Sequence, residues 1–139
     1  MVQLGLVVAQ FNKESPVTHE MEERAREAAA EHDVTIVETL EVPGSYDTPL
    51  AADRLARRDE VDAVVVLGAI VTGDTDHDRV IADAAAQGLT DVSLDRDTPV
   101  MLGVTGPGMS HDEARARIDI GARTIESAIE MVRELEEAT

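Results

Sequence analysis

The sequence predicts an α/β fold: a three-layer αβα sandwich in which helices flank a four-stranded parallel sheet. Three observations predict it. Apolar, β-branched runs alternate with alanine-rich amphipathic stretches four times along 139 residues. Two of the runs, LGLVVA and VDAVVVLGAIV, are continuously apolar, as strands covered on both faces must be. Parallel strands joined by right-handed helical crossovers place helices on both sides of the sheet.

The first strand is read over Leu4 to Ala9. Ser15 then offers an N-cap with Pro16 at the first helical position, and acidic, alanine-rich sequence carries helix one to about His32. Val34 to Val42 (VTIVETLEV) alternates and is β-branched, giving strand two. The segment Pro43 to Pro49 (PGSYDTP) turns the chain into a second helix that ends near Arg58. Val61 to Val71 forms the most buried strand, and Thr72 to Asp78 turns into helix three, which passes Gly88 and fades around Asp95. Strand four spans Pro99 to Thr105. Ser110 and Glu113 have capping-box spacing and open one long last helix, with Ile118, Ala122, Ile125, Ile129 and Val132 on a stripe. There are no repeats or interdomain linkers, so residues 1–139 are expected to form a single domain.

Composition narrows the function. The core is built of Val, Ile, Leu and Ala, and Phe11 and Tyr46 are the only large aromatic residues. Each ring follows a strand, where α/β proteins collect ligands, and a flat or polyhydroxylated small molecule is the obvious partner. The absence of cysteine excludes disulfides, thiol nucleophiles and thiolate metal sites. No signal peptide or long apolar span is evident, so a cytoplasmic protein without membrane contact is expected. The net charge is −17, from 29 acidic and 12 basic residues, and Lys13 is the only lysine. The acids are spread along every helix rather than blocked in a tail. This is the pattern of a solvated surface adapted to very high salt, where self-repulsion is screened. With no basic patch, nucleic acid is not an expected partner.

The four strand ends supply the candidate site. His77 lies at the predicted start of helix three beside Asp74, Asp76 and Asp78. The helix terminus disfavours its charged form and the aspartates favour it, a balance suited to proton shuttling. An exposed histidine in an acidic turn fits the same spacing. His19, His32 and His111 fall on exposed helical positions. A metal held by Asp74, Asp76, His77 and Asp78 is not expected, because adjacent helical positions diverge and no second cluster closes the shell. The turns around Gly73-Asp74-Thr75 and Gly106-Pro107-Gly108 can present backbone N–H groups to an anion, with Arg115, Arg117 and Arg123 as candidate cations. The residues together describe a small-molecule enzyme with a phosphate-bearing substrate and leave its reaction open.

Those turns, taken collinearly, resemble the lumazine synthase family. AQFN (Ala9 to Asn12), VPGSYDTPLAA (Val42 to Ala52) and LGAIVTGDTDHD (Leu67 to Asp78) are similar to its strand-end motifs, the last most specifically. PVMLGVTGPGM (Pro99 to Met109) followed by RARIDIGAR (Arg115 to Arg123) resembles the archaeal branch. That branch and the acidic, lysine-poor composition point to a halophilic archaeal source. The resemblance implies a flavodoxin-like fold with strand order 2-1-3-4. It also implies condensation of 5-amino-6-ribitylaminouracil with 3,4-dihydroxy-2-butanone 4-phosphate, without a metal or redox cofactor. By that resemblance Phe11 stacks on the pyrimidine and Asn12 adjoins it; Ser45, Tyr46 and Asp47 line the ribityl chain. Ala69, Ile70 and Val71 offer backbone groups to the pyrimidine edge. Asp74 and Thr75 approach the phosphate and His77 shuttles protons. Arg117 reaches the phosphate from a neighbouring subunit of a pentamer.

Three departures stand out. Leu102 occupies a position where the family often has phenylalanine, so one wall of the site becomes aliphatic. Ala122-Arg123 stands where a lysine is common, and the chain begins at strand one without the extension that many capsid-forming members carry. Other readings of the same residues are a flavin- or pteridine-binding carrier, a sibling riboflavin synthase, and a phospho-receiver. The receiver would want a lysine near the last strand, which this chain lacks.

The charge pattern yields a direct test. The melting temperature should rise between dilute buffer and molar KCl as self-repulsion is screened; a melt indifferent to salt would overturn the reading of the surface.

Overall fold

A computed structural model describes residues 1–10, 17–71 and 77–138. Its strands are β1 (Gln3–Ala9), β2 (Thr35–Val42), β3 (Ala63–Val71) and β4 (Val100–Met109), and its helices are α1 (Val17–Glu31), α2 (Thr48–Ala56), α3 (His77–Arg96), α4 (His111–Arg115) and α5 (Ile120–Ala138). A single 3-10 turn, Ser45–Asp47, precedes α2. All pairings are parallel and the order is β2-β1-β3-β4, the expected α/β sandwich.

Strand periodicity sorts the core into two layers. Leu4, Leu6 and Val8 of β1 with Ala63, Val65, Leu67 and Ala69 of β3 pack against Met21, Ala25 and Ala28 of α1 and Ile125, Ile129 and Val132 of α5. On the opposite face Val7, Val64 and Val66 meet Ala51, Ala52 and Leu55 of α2 and Leu89 and Val92 of α3. β3 is central, and all of it except Val71 is buried. β2 is an edge, with none of its residues fully buried. The predicted amphipathic stripe of the last helix is confirmed at Ile125, Ile129 and Val132, which are buried, with Ile118 and Ala122 packed beside them.

Three features differ from the sequence reading. Strand three begins at Ala63 rather than Val61. The Val61 N–H closes a turn on the Arg58 carbonyl, and the Asp62 N–H reaches the Gln3 carbonyl at 2.8 Å. β4 runs on to Met109, because Val71 pairs with Met109 across an irregular register. Gly106-Pro107-Gly108 is therefore part of a bulged strand rather than an anion-ready turn at a helix start. Gly106 (φ 98°) and Gly108 (φ 81°) adopt left-handed backbone there. The single long last helix is two helices. Ser110 and Glu113 do form the capping box, with reciprocal 3.2 Å bonds, but α4 stops at Arg115. Between the two helices i→i+3 bonds tighten the chain, from the Arg117 N–H to the Ala114 carbonyl and from the Ile120 N–H to the Arg117 carbonyl. α5 then sits so close to α1 that a Cβ on Gly121 would stand 2.1 Å from the Met21 carbonyl oxygen. The proposed cap at Ser15 and Pro16 lies outside the described residues.

Asp53 ties α2 to α3. Its carboxylate accepts from Arg96 Nε at 2.8 Å and also pairs with Arg57, and its side chain is only 17% exposed. The Arg96 hydrogen bond, reinforced by Arg57 against a smaller opposing effect of burial, holds its pKa below the ordinary carboxylate range. A depressed pKa means that the stability Asp53 adds is present above pH ~4 and lost as acid protonates it. Asp53→Asn should lower the melting temperature at pH 7 by roughly 2–4 °C. The gap between variant and parent should close as acidification carries the pH below the ordinary carboxylate range and protonates Asp53 in the folded protein; a gap that persists would sink the account.

Candidate functional site

A cavity of about 390 Å³ opens at the carboxyl end of the sheet, where open α/β folds place their ligands. Its position follows from strand lengths. The β1–β3 ladder ends at the Val8–Leu67 pair, while β3 continues through Gly68 to Val71. Beyond the last β1–β3 pair among the described residues, Ala69, Ile70 and Val71 line the opening.

The second wall is the segment after β2. Pro43, Gly44, Ser45, Tyr46 and Asp47 all line the cavity. Gly44 is extended (φ −156°, ψ 173°) and the chain then winds into the 3-10 turn. The turn is locked by two 3.0 Å bonds: the Asp47 N–H donates to the Gly44 carbonyl, and the Gly44 N–H donates to Asp47 Oδ2. Thr48 Oγ1 donates to the Ser45 carbonyl at 2.7 Å. Pro49, at the start of α2, is pre-shaped for the helix that follows. The turn presents Tyr46 outward, 62% exposed, the one large aromatic side chain among the described residues.

Ser45 points inward. It is 3% exposed, and its Oγ has no hydrogen-bond partner among the described residues. An unpaired buried hydroxyl on a cavity wall is a polar anchor waiting for a polar ligand group. Its position leaves no space across the sheet, because a Cβ on Gly68 would lie 2.9 Å from Ser45 Oγ and 3.3 Å from Ala9 Cβ. Glycine at residue 68 is what allows the turn to rest on β3.

The third wall is the first turn of α3, where His77, Asp78 and Ile81 line the cavity. His77 is exposed. The lining thus sets an imidazole among two carboxylates, a phenol and a hydroxyl against an aliphatic floor. That combination accommodates a flat ring, binds hydroxyls and moves protons.

Of the residues expected from the sequence, Ser45, Tyr46, Asp47, Ala69, Ile70, Val71 and His77 are brought together here. Phe11, Asn12, Asp74 and Thr75 lie outside the described residues, as does Asp76 of the metal reading. Leu102 and Arg117 do not line this cavity. Leu102 is 52% exposed on the edge strand β4, and Arg117 bonds to Met109 Sδ at 3.3 Å and pairs with Glu113 at 3.8 Å. Sequence reasoning missed Ile81, although helical spacing announces it: the fourth residue after His77 shares its face. Of the other three histidines, His19 pairs with Glu23, and all are exposed, as expected. No group of three or more potential metal ligands converges among the described residues. No helix among them is long and apolar enough to cross a membrane.

The profile of the 6,7-dimethyl-8-ribityllumazine synthase family matches residues 1–136. The chain belongs to that family. It is 66% identical over 136 residues to the 6,7-dimethyl-8-ribityllumazine synthase of Halorubrum lacusprofundi, covering 98% of this chain and all of the relative. It is 64% identical over 135 residues to that of Halobacterium salinarum, covering 97% of this chain and all of that relative. The synthase of Methanopyrus kandleri is 46% identical over 136 residues, with 98% and 95% of the two chains aligned. Family membership agrees with the resemblance drawn from the strand-end motifs and with the sheet order.

The unpartnered serine makes a separable prediction. Ser45→Ala should raise the stability of the ligand-free protein by about 1 kcal/mol, since it removes a buried unsatisfied hydroxyl. Denaturant unfolding of the two proteins checks this, and a destabilised variant would show that Oγ is bonded after all.

Proposed function

We propose that this chain condenses 5-amino-6-ribitylaminouracil with 3,4-dihydroxy-2-butanone 4-phosphate, releasing phosphate and water, to give 6,7-dimethyl-8-ribityllumazine in riboflavin biosynthesis. It acts as a transferase. The observation that carries the proposal is the convergence of the Ser45-Tyr46-Asp47 turn, the end of β3 and His77 on one cavity, in a chain of this family.

The roles follow from the chemistry of each wall. The aliphatic floor of Ala69, Ile70 and Val71 takes the pyrimidine, whose edge bonds to backbone groups of these residues, and Phe11 stacks over it with Asn12 alongside. Ser45, Tyr46 and Asp47 bind the ribityl hydroxyls; the unpaired Ser45 Oγ supports this part of the reading. His77 moves protons during imine formation, phosphate elimination and ring closure. Asp74 and Thr75 adjoin the phosphate. Most of the rate gain comes from holding two substrates in register, with proton transfer adding to it.

Arg117 and Leu102 complete the site from a second copy of the chain in a pentamer. Their absence from the cavity lining of their own chain supports this, as does an aliphatic side chain exposed on an edge strand. Residues 1–139 act as one catalytic domain in the cytoplasm of a halophile. The acidic surface and the relatives from Halobacterium and Halorubrum support that setting.

Mixing the two substrates with the protein in molar salt should produce the fluorescent lumazine well above the spontaneous rate. His77→Ala should lower kcat by about 10²-fold with little effect on KM. Arg117→Ala should raise KM for the phosphorylated butanone by about tenfold and leave kcat nearly intact. Inorganic phosphate should compete with that substrate, whereas a flavin or pteridine carrier would ignore it. No turnover by the unmodified protein would defeat the proposal.

A further inference from the structure

We propose that Gly88 is a positioning residue that, through Pro49, sets the separation of the two cavity walls. This rests on reading the cavity as the lumazine-forming site. Gly88 lies in the middle of α3, where glycine is the poorest choice short of proline by helix propensity. The structure supplies the reason for it. A Cβ at residue 88 would stand 2.8 Å from Pro49 Cγ and 2.9 Å from Pro49 Cβ. Neither atom can swing aside, because the prolyl ring is closed onto its own backbone.

Both partners are built into cavity walls. Pro49 follows directly on the locked Ser45–Asp47 turn and begins the helix that the turn feeds. Gly88 lies on the face of α3 that carries His77 and Ile81, since offsets of seven and eleven residues return to nearly the same direction on an α-helix. His77 and Ile81 line the cavity opposite Tyr46. The Gly88–Pro49 approach therefore lets α3 lie flat against the start of α2. A side chain at 88 acts as a wedge about 10 Å along the helix from Ile81. The closely packed interior leaves α3 to take up the displacement, by tilting or sliding.

The test separates position from stability. On propensity alone, Gly88→Ala should stabilise α3. As a wedge it should lower kcat/KM by about 10-fold to 100-fold with far-UV dichroism unchanged, because displacements near 1 Å at a reacting centre have effects of that size. Tyr46 is the only tyrosine and there is no tryptophan, so near-UV dichroism reports the opposite wall directly, and its band should change in Gly88→Ala. Pro49→Gly removes the atoms the new methyl would strike. In that background, adding Gly88→Ala should change kcat/KM by less than about 3-fold, a non-additivity that only direct contact produces. Equal losses in both backgrounds, or a Gly88→Ala protein with parental kcat/KM and an unaltered tyrosine band, would overturn the proposal. If Gly88→Ala alone does not fold, the comparison of Pro49→Gly with the double variant decides it. A parent protein that makes no lumazine defeats the functional reading instead. The tyrosine band then still reports whether residue 88 governs the wall.

Discussion

The site depends on β3 running on beyond its described pairing with β1. Here the ladder stops at Val8–Leu67 and the strand goes on to Val71. Its side chains are apolar because β4 and the helices pack against them, and the same stretch gives the site its aliphatic floor. The Ser45–Asp47 turn is seated against this stretch through Gly68, and the first turn of α3 lines the remaining side.

The fold was legible where local pattern and tertiary environment agree. Continuous apolar runs identified β1 and β3, and capping-box spacing located the start of α4. Legibility failed where a distant contact decides the outcome. The break before α5 depends on how closely Gly121 approaches Met21, and nothing in the local stripe of Ile118, Ala122 and Ile125 reveals that approach. The extension of β4 through Gly106-Pro107-Gly108 depends on Val71 being available as a partner. Glycine and proline signal a turn by local propensity, and cross-strand pairing overrides it here.

The site follows the same division. Strand ends and the rarity of aromatic rings marked Tyr46, and position at a helix start marked His77; both are local properties. Ile81 and the anchoring role of Gly68 are not local, since each depends on which helix face or strand face meets the cavity. Ser45 is intermediate: its motif suggested a polar lining residue, but only burial shows that its hydroxyl is unpaired.

Charge placement adds the last constraint. The arginines that bridge separate elements sit at joints: Arg24 joins α1 to Asp119, Arg58 reaches Glu38 on β2, and Arg96 ties α3 to Asp53 on α2. Guanidinium suits this use, because its fork holds a carboxylate in fixed geometry when salt screens the longer-range attraction. The cavity lining is different. Its described charged or titratable groups are Tyr46, Asp47, His77 and Asp78, with no arginine among them. Two carboxylates facing a small volume repel a phosphate ester, and the helix start that opens toward it supplies only a partial positive charge. A phosphate-bearing substrate therefore needs a cation from beyond this lining. Lys13 lies outside the described residues, and Arg117 is engaged with Met109 and Glu113 rather than lining the cavity. Among the described residues, the lining of one chain lacks the cation that the proposed reaction calls for. The proposed pentamer answers this need, with Arg117 of a second copy at the cavity mouth and Leu102 covered in the same step.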